Sequence, residues 1–277
     1  ATRGLNFGID FTGGVELELR YPEAVNVESA RAAIAQAGYA DVVVAPLGTD
    51  RDLLVRAKPG KDENTNQVSA KILQALRAAS PAVELRRTEV VGPQVGRELS
   101  EKGGLALLFT FIMILIYVGV RFEKKMAAGT VLAAMHDPIL ILGFFSATQL
   151  TFDLSVLAAV LAVIGYSIND TVVVFDRVRE NFLGMRKVTP AAVIDASVNQ
   201  TLSRTLMTSF STLFVVVSLY LFAGNTLKGF SIAIIVGVIV GTYSSIFVAG
   251  ALALDMKITA ADLMPPPKEK DEIDALP

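Results

Sequence analysis

From Gly103 onward this chain is dominated by five long apolar runs: Gly103–Val120, Met126–Gln149, Leu154–Phe175, Leu206–Ala223 and Phe230–Leu254. Crossing the hydrocarbon core of a bilayer takes about 20 mostly apolar helical residues. None of the runs alternates polar with apolar residues as a barrel strand would. They predict a polytopic α-helical membrane bundle over 93–256, with helices A to E at 103–120, 126–149, 154–175, 206–223 and 230–254. Of 277 residues only 19% are charged, below the roughly 25% usual in soluble domains.

Residues 1–92 read as a soluble domain. Val15, Leu17 and Leu19 alternate with Glu16, Glu18 and Arg20, which predicts a strand with one buried face. Asn26 can cap a helix carrying Val27, Ala30, Ile34 and Ala37, closed by Gly38. Val42–Ala45 and Leu53–Ala57 read as strands about a turn at Gly48–Asp50. Asn66 can cap a second helix with Val68, Ile72, Leu76 and Ala79 aligned, and Val83–Val91 reads as a last strand. The order β-α-β-β-α-β predicts a small α+β, ferredoxin-like domain. That fold has no fixed function. Gly8 and the pair Gly13-Gly14 read as a turn before a strand, or as a cofactor loop. Gly92, Gly96, Gly103 and Gly104 read as a glycine-containing junction on which the domain moves as a unit.

Several function classes are excluded. The net charge of −2 gives no basic field for nucleic acid. With no cysteine and one histidine there is no thiolate or multi-histidine metal site. No catalytic set or cofactor site is visible, so the chain does not read as an enzyme.

Lysine and arginine orient the bundle. The A–B turn holds Arg121, Lys124 and Lys125; the C–D connection holds Arg177, Arg179, Arg186, Lys187 and Arg204. The B–C turn has no basic residue and the D–E turn only Lys228. A–B, C–D and the tail 257–277 are therefore expected in the cytoplasm, and the soluble domain outside. A domain outside needs a helix to carry it across, so a sixth helix is expected upstream of Ala1. Thr189-Pro190 opens a predicted amphipathic helix over 190–203 with Ala191, Ile194, Val198 and Leu202 on one side, lying on the inner surface before helix D.

Ionisable groups at membrane depth are costly unless paired or wetted. Asp170 lies in the cytoplasmic third of helix C and Arg204 at the cytoplasmic start of helix D, so the two can meet. Ser167 and Asn169 accompany Asp170, and Thr208 is among the polar residues following Arg204. The arrangement reads as a proton path, as a buried ion pair fixing helix register, or, for Arg204 more than Asp170, as a side chain snorkelling to the interface. Asp137 sits near the middle of helix B, followed by Pro138, which removes the helical bond to Ala134. This suits a proton site or a simple kink. His136 beside it reads as a functional neighbour of that site or as merely hydrogen-bonded.

Gly-Ile-Asp-Phe-Thr-Gly-Gly at 8–14, the stretch Val91–Leu99, His136-Asp137, Ile164–Asn181 and Gln200–Ser209 together resemble the SecF-type protein-export membrane proteins of the SecD/SecF family, in the resistance–nodulation–division superfamily. The likeness covers nearly all of 4–256. It implies six helices with a periplasmic domain after the first, in the bacterial inner membrane. It implies partnership with SecD, as a separate chain or fused half, and assistance to the SecYEG translocon in moving unfolded chains, driven by the proton-motive force. On that resemblance Asp170 and Arg204, with Asp137 as a further candidate, line the proton path. Other readings are a non-conducting assembly subunit and a small-molecule exporter of the same superfamily.

Overall fold

The computed structural model describes residues 4–39, 42–59, 65–185 and 188–258. Arg186, Lys187, most of the tail and the side chain of Asn66, each used above, lie outside the described part. The chain divides into two compact units. One is drawn from Ala1–Thr110, Ile141–Leu161 and Val216–Ile234, the other from Phe111–Leu140, Ala162–Val215 and Ile235–Pro277.

In the first unit, β2 (Gly14–Arg20), β3 (Val42–Leu47), β4 (Thr49–Ala57) and β5 (Glu84–Val91) form one antiparallel sheet in the order β3-β4-β2-β5. It is preceded by β1 (Asn6–Phe7) and the single turn α1 (Ile9–Thr12). The period-two pattern holds: Val15, Leu17 and Leu19 are buried against α2 (Val27–Gln36) and α3 (Thr65–Ala79), which contribute Ala30, Ile34, Val68, Ile72 and Leu76. Asn26 caps α2 by accepting from Glu28 N at 2.9 Å. Helix α3 begins at Thr65, so Asn66 lies inside it rather than before it. The hairpin turns at Gly48, where φ is +82°.

Gly13 and Gly14 form a turn. Their φ values are +68° and +137°, a region that costs other residues strain. A Cβ on Gly14 would also stand 2.6 Å from the Ala57 carbonyl oxygen. The turn aims β2 into the sheet while the preceding segment pairs elsewhere: β1 lies parallel to β6 (Thr151–Phe152). Phe7, Phe11, Phe145 and Phe152 cluster there with centroids about 6 Å apart. Asp10 Oδ2 accepts from Leu154 N at 2.9 Å. A charged cavity of about 450 Å³ opens beside the sheet, lined by Glu16, Glu18, Arg56, Arg87 and Glu89. Arg56 pairs with Glu16 and donates to Thr151 Oγ1 at 2.6 Å.

Five helical segments are long and apolar enough to cross a membrane. They are α4 (Pro93–Arg121), α5 (Lys124–Thr148), α6 (Leu154–Gly184), α7 (Pro190–Phe222) and a last one over Asn225–Asp255. The last comprises a short 3₁₀ turn, α8 (Lys228–Tyr243), a π-helical turn (Ser244–Val248) and α9 (Ala249–Asp255).

Two features differ from the sequence reading. Helix α4 starts at Pro93, a favoured first helical residue, and runs unbroken through Gly96, Gly103 and Gly104, so these glycines are not a flexible junction. Gly96 and Gly103 serve close packing instead: added Cβ atoms would meet Gly13 N and Leu157 Cδ2, each at 2.7 Å. Second, the predicted amphipathic helix over 190–203 is the first half of α7, continuous with the span. In the second unit its Val193 and Ile194 bury against a cluster containing Phe175 and Phe182. Asn181 donates to Ser197 Oγ at 2.8 Å, and no proline or glycine after Pro190 interrupts the helix.

A polar seam among the membrane helices

The site residues named from sequence all fall in the second unit, on α5, α6 and α7. Asp137 is fully buried, its Oδ2 accepting from Ser167 Oγ and its Oδ1 lying 3.0 Å from His136 Nδ1. Ser167 is buried and holds more than the carboxylate. Its backbone carbonyl accepts from Thr171 Oγ1 at 3.1 Å and from Ser245 Oγ at 3.2 Å. Thr171 and Ser245 also bond each other at 3.0 Å. A second set joins three helices: Tyr166 donates to Ser209 Oγ at 3.1 Å, and Ser209 and Thr242 share a bond of 2.6 Å.

Asp170, on the same helix as Tyr166, Ser167 and Thr171, is only 3% exposed. Its Oδ2 has no hydrogen-bond partner among the described residues, and the same holds for the buried Thr205 Oγ1 and Ser244 Oγ. Asn169, next to it on the same helix, is exposed. Arg204 is exposed and acts on Asp170 only as a charge at longer range: no ion pair within 4.0 Å joins them. The structure thus brings Asp137, His136 and Ser167 together, and does not join Asp170 directly to Arg204. Thr208 is occupied locally, donating to the carbonyls of Thr205 and Arg204.

Sequence reasoning missed Tyr166, Thr171, Thr242, Ser244 and Ser245. The signal was the run Thr242-Tyr-Ser-Ser245 inside an apolar helix. The π-helical turn begins there. Such turns insert one extra residue per turn and recur at functional sites. Buried polar atoms are nearly always satisfied, so three unpartnered ones in one unit call for water or an exchangeable proton.

The family model for the C-terminal part of the protein-export membrane proteins SecD/SecF matches residues 71–259, and that of the SecD/SecF GG motif matches residues 1–21. Protein translocase subunit SecF of Vibrio alginolyticus is 49% identical over 280 residues, covering 100% of this chain and 89% of that protein. Its namesake from Pseudomonas aeruginosa is 49% identical over 276 residues with the same coverage. The crystal structure of SecDF from Thermus thermophilus, described as a translocon-associated membrane protein, is 38% identical with a TM-score of 0.81. It matches 92% of this chain, which spans 35% of the SecDF chain. SecDF in a super-membrane-facing form matches with a TM-score of 0.66. The chain belongs to the SecF branch of the SecD/SecF family of protein-export membrane proteins.

Proposed function

We propose that this chain uses the proton-motive force to help move unfolded polypeptides outward through SecYEG, in association with SecD. The observation that carries the reading is Asp170: a buried carboxylate in a membrane-spanning helix, with one oxygen unpartnered, in the same unit as the unpartnered hydroxyls of Thr205 and Ser244. The SecD partnership is supported by the likeness to SecDF over most of this chain. The strand order β3-β4-β2-β5 and the two helices on one face support a ferredoxin-like domain. The basic connections support its placement in the periplasm of a bacterial inner membrane, with the C-terminus in the cytoplasm.

A potential supplies about 2.3 kcal/mol per charge per 100 mV, enough to bias a two-state movement. In one state Asp170 carries a proton taken from outside and is neutral. In the other, Arg204 comes close, the carboxylate ionises, and the proton leaves inward. The separation seen here fits a state in which the pair is apart. Asn169 and Thr208 support the polar lining of this path.

Asp170→Asn keeps the shape but cannot exchange a proton, and Arg204→Met removes the charge that favours release. Each is expected to abolish gradient-driven export in membrane vesicles at normal abundance. Replacing both residues by apolar ones can restore a purely structural pair but leaves a proton path dead. Full export by the double variant would overturn the reading and leave an assembly subunit.

A further inference from the structure

The path through Asp170 and Arg204 leaves out the pair His136–Asp137 on α5. Asp137 is fully buried, and among the described residues no lysine or arginine forms an ion pair with it. A lone carboxylate there would be an unpaired charge inside a membrane-spanning helix, which is strongly unfavourable. One proton shared with the imidazole removes that charge. The pair is neutral overall as carboxylic acid beside neutral ring, and equally as carboxylate beside imidazolium. The His136 side chain is 33% exposed while that of Asp137 is 0% exposed, so the ring gives the buried carboxyl a route to its surroundings.

The station is built rather than incidental. Ser167 donates to Asp137 Oδ2, and its carbonyl takes bonds from Thr171 and from Ser245 on the π-helical turn. Gly241 closes the other side: a Cβ there would stand 3.2 Å from Ser167 Cβ and 3.6 Å from Asp137 Oδ2. Three helical segments therefore meet at this carboxyl, and Asp170 follows Ser167 on the same side of α6, three residues apart.

We propose that His136 and Asp137 form a second proton-holding station, seated on Ser167 and distinct from Asp170. The inference rests on the gradient-driven reading above. A proton taken up at His136 Nε2 releases the Nδ1 proton to Asp137 Oδ1, so only N–H and O–H bonds change and the ring returns to neutral. Departure of that proton leaves a carboxylate held only by Ser167, at the point where α5, α6 and the last helix meet.

The test uses the complete complex in membrane vesicles. Asp137→Asn keeps an oxygen that can accept from Ser167, and is expected to lower gradient-driven export by about 10²-fold at unchanged abundance. His136→Gln is expected to slow export less, and Asp137→Glu to retain part of it. Dicyclohexylcarbodiimide, which adds to protonated carboxyls in apolar surroundings, is expected to modify Asp137 in the unsubstituted chain, read by peptide mass spectrometry. Export by Asp137→Asn within about twofold of the parent overturns the proposal. Should that variant fail to accumulate, an unmodified Asp137 beside a modified Asp170 does the same. Asp170→Asn is measured in parallel. Normal export there removes the gradient-driven reading itself, whereas loss there with normal export by Asp137→Asn removes the second station alone.

Discussion

Single residues in this chain carry constraints that their type alone does not announce. Gly14 and Gly104 are both glycines next to another glycine, yet their surroundings differ. Gly14 has φ +137° and the Ala57 oxygen 2.6 Å from any added Cβ, while Gly104 is helical with nothing within 4 Å. Gly14→Ala is expected to destabilise the chain by about 1–3 kcal/mol, and Gly104→Ala to stabilise it by about 0.5–1 kcal/mol by adding helix propensity. Thermal unfolding in detergent checks both, and equal effects would contradict the geometry. Glu18 supplies a second test. Burial beside the charged cavity pushes its carboxyl above the ordinary 4.5; Arg87 pulls it down, and Glu16, Glu89 and Asp52 push it further up. The folded state thus holds this proton more tightly than the unfolded one. Its contribution to stability is fully present below pH 4.5 and is lost as pH rises through the raised value. Glu18→Gln is expected to raise the unfolding temperature at neutral pH and to leave it unchanged below pH 4.5. A gain that persists in acid would place its cause elsewhere.

At the scale of elements, the strands and membrane helices were legible because each carries its own period. Val15, Leu17 and Leu19 state the buried face of β2, and the apolar runs state the spans. What sequence did not reveal depends on contacts between distant segments. Asn6–Phe7 pairs with Thr151–Phe152, and two-residue strands have no pattern to read. The glycines at 96 and 103 suggested a hinge because glycine marks both turns and close packing, and only the neighbours Gly13 and Leu157 decide between them. In the candidate site, Asp137 and Asp170 stood out because charges are rare in spans. Ser244 and Ser245 did not, because a serine in a span can bond its own preceding turn, and only the fold shows that Ser245 bonds Ser167 and Thr171 instead. The unbroken α4 has a mechanical consequence. It joins β5 to the first span with only Gly92 between them, so a flexible insert should weaken the link. Gly-Ser-Gly placed after Lys102 is expected to cut gradient-driven export by about tenfold or more while membrane abundance stays normal. Undiminished export would show that α4 does not need to be stiff.

For the whole molecule, the governing question is which side of the membrane bears the sheet. The connection from α4 to α5 contains Arg121, Lys124 and Lys125, and the end of α6 adds Arg177 and Arg179. At the opposite helix ends, the α5–α6 connection has no basic residue, and that between α7 and α8 has only Lys228. Basic residues near span ends remain in the cytoplasm. The local structure gives the first of these charges a partner without removing it from solvent: Arg121 bonds Asp176 at 2.5 Å with its side chain 40% exposed. A cysteine at Thr49, in the exposed hairpin between β3 and β4, should therefore react in intact cells with a membrane-impermeant thiol reagent. One at Glu123, exposed between α4 and α5, should react only after the membrane is opened. The chain contains no native cysteine, so each label reports a single position. Reaction at Glu123 with protection at Thr49 would invert the bundle. Under the proposed mechanism it would also reverse the direction of proton movement relative to the sheet, and the sheet could not then meet polypeptides emerging on the outer side. The labelling pattern therefore tests topology and export mechanism together, without requiring any charged residue in the spans to be altered.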